Sequence, residues 1–517
     1  EPLYNSTFHA SATGALWGMS KAPNPANSSL GANPPSSDWF TAEQQANASN
    51  CVNVCFCDEQ AYSAAEAGYA KNWFDNTHRR HSHVLCHFNQ FVGQWSNADL
   101  DAFIETAHPD MLTFDNYIFD TDGHQADWKI PAFALYNITL QHRDRALRGW
   151  DGTYTSPIIW GQYLLNFKPG HEQWVTEGTY TITESQKYLV AMISLALGAK
   201  WLSLFLTEKQ SEVWSITFTD GGTRTSHFTQ YAELFRQIKN LGPHLIRLHS
   251  TDYATEPGDH MVTGTPTENG ITGSRFAANS NYFLKSIVAE NLGTNNDELP
   301  GDVIVGYFDP LPGYTGSFFT CSDPKYFMVV NGLTHGNGLT TANQHGALSE
   351  TQQKITITFD MTGGDITKLR KVSRDTGSVV PVTLTFVSGN DYKLEVTLGG
   401  GEGELYFWEN GVTGSTCWGH DTNVTETNVR DFLGNWIGTG SVYGTGDAEQ
   451  LQFHSNEYME SEIINTGVVT VSLLKDIYQN SSGTFTIYYK TGSSLATCEA
   501  ASWILYTTPF ESEGYVK

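Results

Sequence analysis

Apolar residues follow two different patterns along this chain, and the change between them falls near residue 250. Between residues 51 and 250, short apolar runs such as CVNVCFC (51–57) and HVLCHF (83–88) alternate with segments of helical period such as residues 95–107. Strand, helix, strand is the order expected of a parallel sheet with crossover helices. The pattern therefore predicts an α/β domain over residues 51–250.

After residue 250 the apolar positions repeat every second residue, and Gly, Asn and Asp separate the runs. This pattern is typical of antiparallel strands with one buried face, and it predicts a β-sandwich over residues 251–410. A linker is expected over 411–428, and a second β-sandwich, the size of a small carbohydrate-binding module, over 429–517. The clearest sandwich strands are predicted at 326–333, 354–359, 382–386, 392–398, 404–408, 468–474, 483–489 and 502–510.

Two segments need separate interpretation. Residues 1–50 are rich in Asn, Ser, Ala and Pro and predict an irregular N-terminal segment with a strand near 15–17. Residues 188–206 are nearly apolar enough to cross a membrane, but Gly198 and Lys200 interrupt them. We interpret them as a buried helix over 184–197 followed by a buried strand over 200–206, so no membrane span is predicted.

Composition narrows the class of partner. The chain has 517 residues, with 55 Asp and Glu against 29 Lys and Arg, and a formal net charge of −26. That balance argues against nucleic acid, because phosphate groups would meet a surface of the same sign. Aromatic residues make up 13% of the chain and charged residues only 16%, which is typical of secreted carbohydrate-active proteins. We therefore expect a carbohydrate partner.

Six Asn-x-Ser/Thr sequons favour a secreted, extracellular glycoprotein. The chain begins Glu1-Pro2 without a signal peptide, as expected of a processed mature chain or a fragment. The predicted glycosylation sites are Asn5, Asn27, Asn47, Asn137, Asn423 and Asn480.

The chain has seven cysteines, and two of them, Cys417 and Cys498, bracket the last predicted domain. We predict a disulfide between these two. Four more lie on two strands expected to be neighbours, where they either form disulfides or stay as buried thiols. Because alternate strand residues point to opposite faces, their spacing does not suit a zinc site. These four are Cys51, Cys55, Cys57 and Cys86.

Histidines also gather beside the second strand, at His81, His83 and His87. No carboxylate or fourth ligand follows them in register, so the sequence predicts no metal site there. No cofactor is expected.

Polar residues follow each of the first three apolar runs, where parallel strands collect their active-site groups. Glu59 follows the first run, Asn89 and Gln90 the second, and Asp115 and Tyr117 the third. Two of these three strand ends therefore carry a carboxylate.

The order of these motifs resembles the second half of the TIM barrel in clan A glycoside hydrolases, especially family 42 β-galactosidases and agarases. The motifs are DEQ (58–60), FNQ (88–90), PDMLTFDNY (109–117), WGQY (160–163) and LGPHLIRL (241–248), with GELYFW (403–408) ending the following sandwich. The resemblance covers roughly residues 51–409. It implies a TIM-type β/α barrel, partial or degenerate because only five strand–helix units fit between 51 and 250.

The resemblance also implies roles for individual residues. Glu59 matches the general acid/base, whereas Asn89, Gln90, Asp115 and Tyr117 match positions that bind sugar hydroxyls.

The nucleophile position of the resemblance falls on Gln162, an amide that cannot attack. Trp160 beside it, like Trp95 and Trp201, is a candidate platform for a sugar ring, although core packing is the commoner role of such residues.

Two functions follow from the amide at the nucleophile position. In the first, Asp115 supplies the second carboxylate about 7–10 Å from Glu59, a spacing suited to an inverting hydrolase. Glu59 would be the acid, its pKa raised by burial, and Asp115 the base. In the second, the chain is a catalytically inactive structural or glycan-binding glycoprotein. It would then assemble with other chains, or with copies of itself, through the open barrel edge.

Overall fold

The structure of this protein, a computed structural model, divides the chain into two units. One unit comprises residues 1–311 and 324–409, and the other comprises 312–323 and 410–517. The ranges described are 16–20, 29–91, 93–117, 131–167, 182–207, 215–219, 222–256, 276–293, 302–311, 324–334 and 347–409, with isolated residues and short strands elsewhere.

A six-stranded parallel sheet forms the first half of the first unit, with its strands side by side in chain order. Helices lie between successive strands, which makes the sheet a partial β/α barrel, as the alternating pattern predicts. The strands are β1 (Trp17–Met19), β2 (Cys51–Asp58), β3 (Leu85–Phe91), β4 (Met111–Asp115), β5 (Ile159–Leu165) and β6 (Trp201–Phe205). The helices are α1 (Ala42–Ala46), α2 (Ala64–His78), α3 (Asn97–Ala107), α4 (Pro131–Arg148), α5 (Glu184–Ala196) and α6 (Ser226–Leu245).

Local sequence explains where these helices begin and which face they bury. The Ser96 side chain accepts a hydrogen bond from the Asp99 amide, and the Asp99 side chain accepts one from the Ser96 amide, so a capping box starts α3. The buried residues of α3 follow the i, i+3, i+4, i+7 spacing of a single helical face. They are Leu100, Phe103, Ile104 and Ala107.

Aromatic side chains fill the layer between the sheet and its helices. Phe56 of β2 lies 5.2 Å from Phe74 of α2, ring centre to ring centre. Phe88 of β3 lies 5.0 Å from Phe103 of α3. These contacts assign one face of the sheet to the helices. The alternate residues of each strand therefore point to the opposite face, where the polar strand ends are found.

Two antiparallel sheets follow, as the period-two pattern predicts, and they pack as a β-sandwich. The first has the order β10-β13-β17-β16 and the second β15-β14-β18-β12-β11-β7. A shared core fills the space between them, with Phe327 and Trp408 fully buried in it. The strands are β7 (Leu248–Glu256), a separate hairpin β8 (Thr267–Glu268) and β9 (Ile271–Thr272), β10 (Leu284–Asn291), β11 (Val303–Pro310), β12 (Lys325–Asn331), β13 (Gln353–Asp360), β14 (Leu369–Val372), β15 (Val379–Pro381), β16 (Thr385–Ser388), β17 (Asp391–Leu398) and β18 (Gly403–Trp408).

Helix α5 joins the parallel sheet to the sandwich, since it contacts β5 on one side and β11 and β12 on the other. Every residue from 185 to 196 is buried. The predicted buried helix, glycine and strand are confirmed: α5 ends at Ala196, Gly198 has a φ of +98°, and β6 follows. The strand is half-buried rather than buried, because β6 is the edge strand of the sheet. No helix in the described part of the chain is both long and apolar enough to cross a bilayer.

Close approach to α5 explains the glycines of the predicted turn over 399–403. A Cβ on Gly401 would lie 2.3 Å from the Ser185 carbonyl oxygen and 2.4 Å from the Leu189 amide nitrogen. A Cβ on Gly306 of β11 would lie 1.7 Å from the Ala196 carbonyl oxygen. Glycine is therefore required where the sandwich meets the helix backbone.

The second unit contains short strands only among its described residues, and most of them pair antiparallel. The predicted linker and the Cys417–Cys498 disulfide lie outside the described residues, and the domain boundaries stay predictions. The strands are β19 (Trp436–Gly438), β20 (Ser441–Tyr443), β21 (Gln450–Gln452), β22 (Met459–Ser461), β23 (Ile464–Gly467), β24 (Thr470–Val471), β25 (Tyr488–Tyr489), β26 (Thr491–Gly492), β27 (Ile504–Leu505), β28 (Phe510–Glu511) and β29 (Gly514–Val516).

Candidate functional site

Strand register decides which predicted site residues share a face of the parallel sheet. Asn89 pairs with Thr113, and Asp115, two residues further along β4, pairs with Tyr163. Paired residues and their i+2 neighbours point the same way, so Asn89, Asp115 and Tyr163 share the face away from the helices. Asp58, which pairs with Asn89, joins them.

Asn89 links two carboxylates at this edge. Its Nδ2 donates one hydrogen bond to Asp58 Oδ1 and another to Asp115 Oδ1, both at 2.9 Å. Asn89 is 4% exposed and Asp115 8% exposed, so both bonds are shielded from water. Both amide hydrogens of Asn89 are thus used inside the protein, and neither is left for the sugar hydroxyl that the resemblance implies.

The backbone turns sharply after β2, at Glu59. Glu59 has a φ of 53°, in the left-handed region that side chains other than Gly rarely adopt. Its amide donates to the Asn89 carbonyl oxygen at 2.9 Å, which continues the pairing of β2 with β3 by one residue. The negative charge of Glu59 acts on Asp115 and raises the pKa of that carboxyl group.

The separation of the Glu59 and Asp115 carboxyl groups bears on the mechanism, since an inverting pair stands about 6.5–9.5 Å apart and a retaining pair about 5 Å apart. The spacing of roughly 7–10 Å expected from sequence, with β3 between the two residues, stays a prediction.

Asp115 is held in its protonated form by its surroundings. Burial raises its pKa most, and the negative charge of Glu59 raises it further, to about 8. Asp58 adds a smaller effect in the same direction, while the hydrogen bond from Asn89 opposes them. A carboxyl group with this pKa can release a proton near neutral pH, which is the property required of a general acid.

Aromatic rings lie beside the carboxyl pair, towards β5 and β6. The Tyr117 ring, half-buried just after β4, is 5.9 Å from Phe205 and 4.9 Å from Phe167. Tyr163 is 4.9 Å from Trp201, which is partly exposed on the outermost strand. Phe205 is not among the predicted site residues, because β6 reads as a plain apolar strand.

Three predicted sugar-binding residues lie on the opposite, helix-covered face. Gln90 and Gln162 both pair with Phe114, which identifies their side of the sheet. Gln162 Nε2 donates to Ser194 Oγ of α5, and Trp160 is 2% exposed. The structure does not bring these residues to the carboxyl pair, because each is offset by one position from the residues that face it. Their sugar-binding roles stay predictions.

The other predicted sites stand as follows. Asn47 is half-buried at the end of α1, Asn137 lies in α4 with its side chain undescribed, and the other four sequons fall outside the described ranges. His81, His83 and His87 have separate partners, namely Asp38, the Ala48 carbonyl and Thr113. The four cysteines of β2 and β3 are buried thiols rather than disulfides, which decides between the two alternatives for them: Cys51, Cys55, Cys57 and Cys86.

A further cluster, absent from the sequence prediction, lies at the amino ends of β3 and β4. His78, Cys86 and Asp110 have donor atoms within 4.8 Å of one another, a set able to bind a metal ion. Asp110 Oδ2, however, already accepts hydrogen bonds from His78 Nε2 at 2.9 Å and from the Cys86 amide at 2.6 Å. These bonds give the cluster a structural role, fixing the start of both strands.

Comparisons with known proteins name no family. No family model matches the chain, and no curated protein does. Similar solved structures include one described as a glycoside hydrolase, with 7% identity, 68% of this chain and 70% of that chain covered, and a TM-score of 0.30. A rhamnosidase from Novosphingobium sp. PP1Y has 9% identity, with 72% and 42% covered and a TM-score of 0.29. A variant of AmyP in complex with maltotriose has 8% identity, with 79% and 99% covered and a TM-score of 0.23. TM-scores this low carry no argument, so the function is argued from the site.

Proposed function

We propose that this chain is a secreted glycoside hydrolase-like glycoprotein that acts on or binds a neutral, galactan-like polysaccharide. Its partial TIM-type barrel would carry the site, and its two β-sandwich modules would follow. The observation that carries the proposal is the set of carboxyl groups at the carboxyl ends of parallel strands, where Asn89 binds Asp58 and Asp115 and Glu59 directly follows β2. Hydrolysis of a glycosidic bond needs one carboxyl group to give a proton and one carboxylate to accept one or to attack.

The surroundings of the pair support this chemistry. The raised pKa of Asp115 supplies a proton donor near neutral pH, and exposed Glu59 lies where a ligand reaches it from solvent. Tyr117 and Trp201 offer ring faces of the kind on which sugar rings stack.

The experiment is a screen of neutral polysaccharides for release of reducing ends. Wild-type chain would be compared with Asp115→Asn, Glu59→Gln and, as a matched control, Asp75→Asn on the exposed side of α2. We expect hydrolysis to fall about 10²–10⁴-fold in the two site variants, the usual contribution of a general acid or base, and to stay unchanged in the control. Hydrolysis that survives both site substitutions would remove the assignment.

A second candidate is a catalytically inactive glycan-binding protein that assembles with other chains or copies through an open barrel edge. It is favoured by an amide, Gln162, at the position that the resemblance gives to the nucleophile. This candidate predicts that calorimetry detects glycan binding while no hydrolysis product forms. It also predicts that sedimentation detects association of the chains. A monomer that cleaves glycans would exclude it.

Gln162→Glu tests the same candidate, because this substitution would restore the nucleophile of a decayed hydrolase. Gln162 packs against Ser194 and Val190 of α5, so the new carboxylate would be buried on the helix side. We expect a loss of stability and no gain in hydrolysis. Hydrolysis gained by this variant would show that residue 162 reaches the substrate.

A further inference from the structure

The two carboxyl groups of the site occupy unequal environments. Asp115 is 8% exposed, whereas Glu59, at the turn after β2, is exposed. Two neighbouring carboxyl groups oppose each other's ionisation, so one of them keeps its proton to higher pH. Burial penalises the charged form far more than exposure does, so that proton belongs with the buried member.

The neighbours of Asp115 on the other strands favour the same placement. Asp58 and Glu59 face it from β2, Asn89 faces it from β3, and Tyr163 lies in register with it on β5. Asp58 and Glu59 add negative potential, which opposes a second charge on Asp115. Asn89 donates to Asp115 Oδ1, which leaves Oδ2 as the oxygen suited to carry the proton.

We propose that the catalytic roles are exchanged relative to those expected from sequence: Asp115 is the proton donor and Glu59 is the ionised carboxylate. This inference rests on the proposed function and deepens it. It also makes Asn89 a positioning residue, which holds Asp115 Oδ1 and Asp58 Oδ1 without touching the substrate.

The reaction balances with these assignments. Asp115 gives its proton to the glycosidic oxygen as the bond from that oxygen to the anomeric carbon breaks, and the departing sugar leaves as an alcohol. A water molecule adds to the anomeric carbon, and Glu59 accepts the proton that this water loses. When product has left, Glu59 gives its proton to water and Asp115 takes one up from water, so both carboxyl groups are restored and one water has been consumed.

The location of the proton is tested without activity, by carboxyl-carbon NMR. One sample is labelled with carbon-13 at the Asp side-chain carboxyls and a second at the Glu carboxyls. Both are titrated from about pH 5, above the ordinary pKa of carboxyl groups, to about pH 9, above the ordinary pKa of histidine. Difference spectra against Asp115→Asn and Glu59→Gln assign the two signals. We expect the Asp115 signal to be protonated below its pKa of about 8 and to change there, and the Glu59 signal to be ionised throughout. A protonated Glu59 signal beside an ionised Asp115 would overturn the inference.

The direction of proton transfer is tested with two substrates. An aryl glycoside whose leaving group departs without protonation needs no acid, whereas a polysaccharide does. Asp115→Asn is expected to lose about 10²–10⁴-fold on polysaccharide and less than about 10-fold on the aryl glycoside, and Glu59→Gln to lose heavily on both. The reverse pattern would restore the roles expected from sequence.

The two tests separate failure of the inference from failure of the proposed function. If wild-type chain hydrolyses neither substrate, the proposed hydrolysis is wrong and the donor role falls with it, while the NMR titration still decides which residue holds the proton. If hydrolysis is found but Glu59 carries the proton, the function stands and the exchange of roles is wrong.

Discussion

Strand β4 begins after one aspartate and ends at another, and the two have opposite surroundings. Asp110, before the strand, accepts hydrogen bonds from the His78 side chain and the Cys86 amide. Asp115, at the other end, faces the carboxylates of Glu59 and Asp58. Donors surround the first aspartate, whereas like charges crowd the second.

The difference separates an interaction that stabilises the fold from one that opposes it. The carboxyl group of Asp110 accepts hydrogen bonds from both of its partners, so these contacts contribute to stability. Neighbours of Asp115 disfavour that form, so ionising it works against folding. Ionisable groups whose surroundings destabilise their charged form are typical of functional sites. Here such a group lies at the strand ends where functional sites are found.

The largest effect is expected from Asp110→Ala. The substitution leaves the Cys86 amide without its acceptor and removes the partner of His78, so we expect unfolding to become easier by about 2–4 kcal/mol. Urea denaturation measures the change. Asp75→Ala, which removes an exposed ion pair with Lys71, is the control and should change stability by less than about 0.5 kcal/mol. Equal effects of the two variants would contradict the role given to Asp110.

A smaller effect is expected from Asn89→Ala at the other end. Loss of two hydrogen bonds to carboxyl groups is expected to cost about 1–2 kcal/mol. Since the bond from Asn89 lowers the pKa of Asp115, the variant should also titrate Asp115 at higher pH than wild type. Carboxyl NMR measures that shift, and Asn72→Ala, which removes one exposed hydrogen bond, is the control. An Asp115 pKa that falls in Asn89→Ala would contradict the bond between these two residues.

The smallest effect concerns pH at the Asp110 end. The hydrogen bond to Asp110 raises the pKa of His78 above its unfolded value of 6.5. The resulting stability is complete below pH 6.5 and is lost as pH rises through the higher folded pKa. His78→Gln should therefore lose about 0.5–1 kcal/mol more at about pH 5.5 than at about pH 9. A difference that does not vary with pH would mean that His78 is not charged in the pair.

Much of the fold follows from periodicity, since the apolar runs and their spacing specify both kinds of sheet. The helix–glycine–strand segment around Gly198 matches its prediction, and most sandwich strands of the first unit lie close to theirs. The pattern does not predict strands β7, β10, β11, β14 and β15. β7 and β11 pair with each other at the edge of the larger sheet, and their apolar pattern has no clean alternation there.

The site is only partly predictable from sequence. Glu59, Asp115 and Asn89 are expected at neighbouring strand ends, because the ends of parallel strands meet at one edge. The direction of the Glu59 side chain depends on a left-handed backbone turn, which the sequence does not indicate because no glycine stands there. The face occupied by Gln90 and Gln162 depends on register, where a single-residue offset exchanges the two sides of a sheet.

The most direct test compares the melting temperatures of wild type and Asp115→Asn from about pH 4 to 9, a range that spans the ordinary and the raised pKa of this carboxyl. An asparagine here is neutral and can accept the Asn89 bond through Oδ1, as protonated Asp115 does. Because the folded pKa of Asp115 is raised, its contribution to wild-type stability is complete below pH 3.8 and is lost as pH rises through about 8.

We therefore predict nearly equal melting temperatures at about pH 4 and a gap that widens in favour of Asp115→Asn up to about pH 8. Parallel curves, or a variant that is less stable at every pH, would contradict the account of a buried, protonated aspartate beside Glu59.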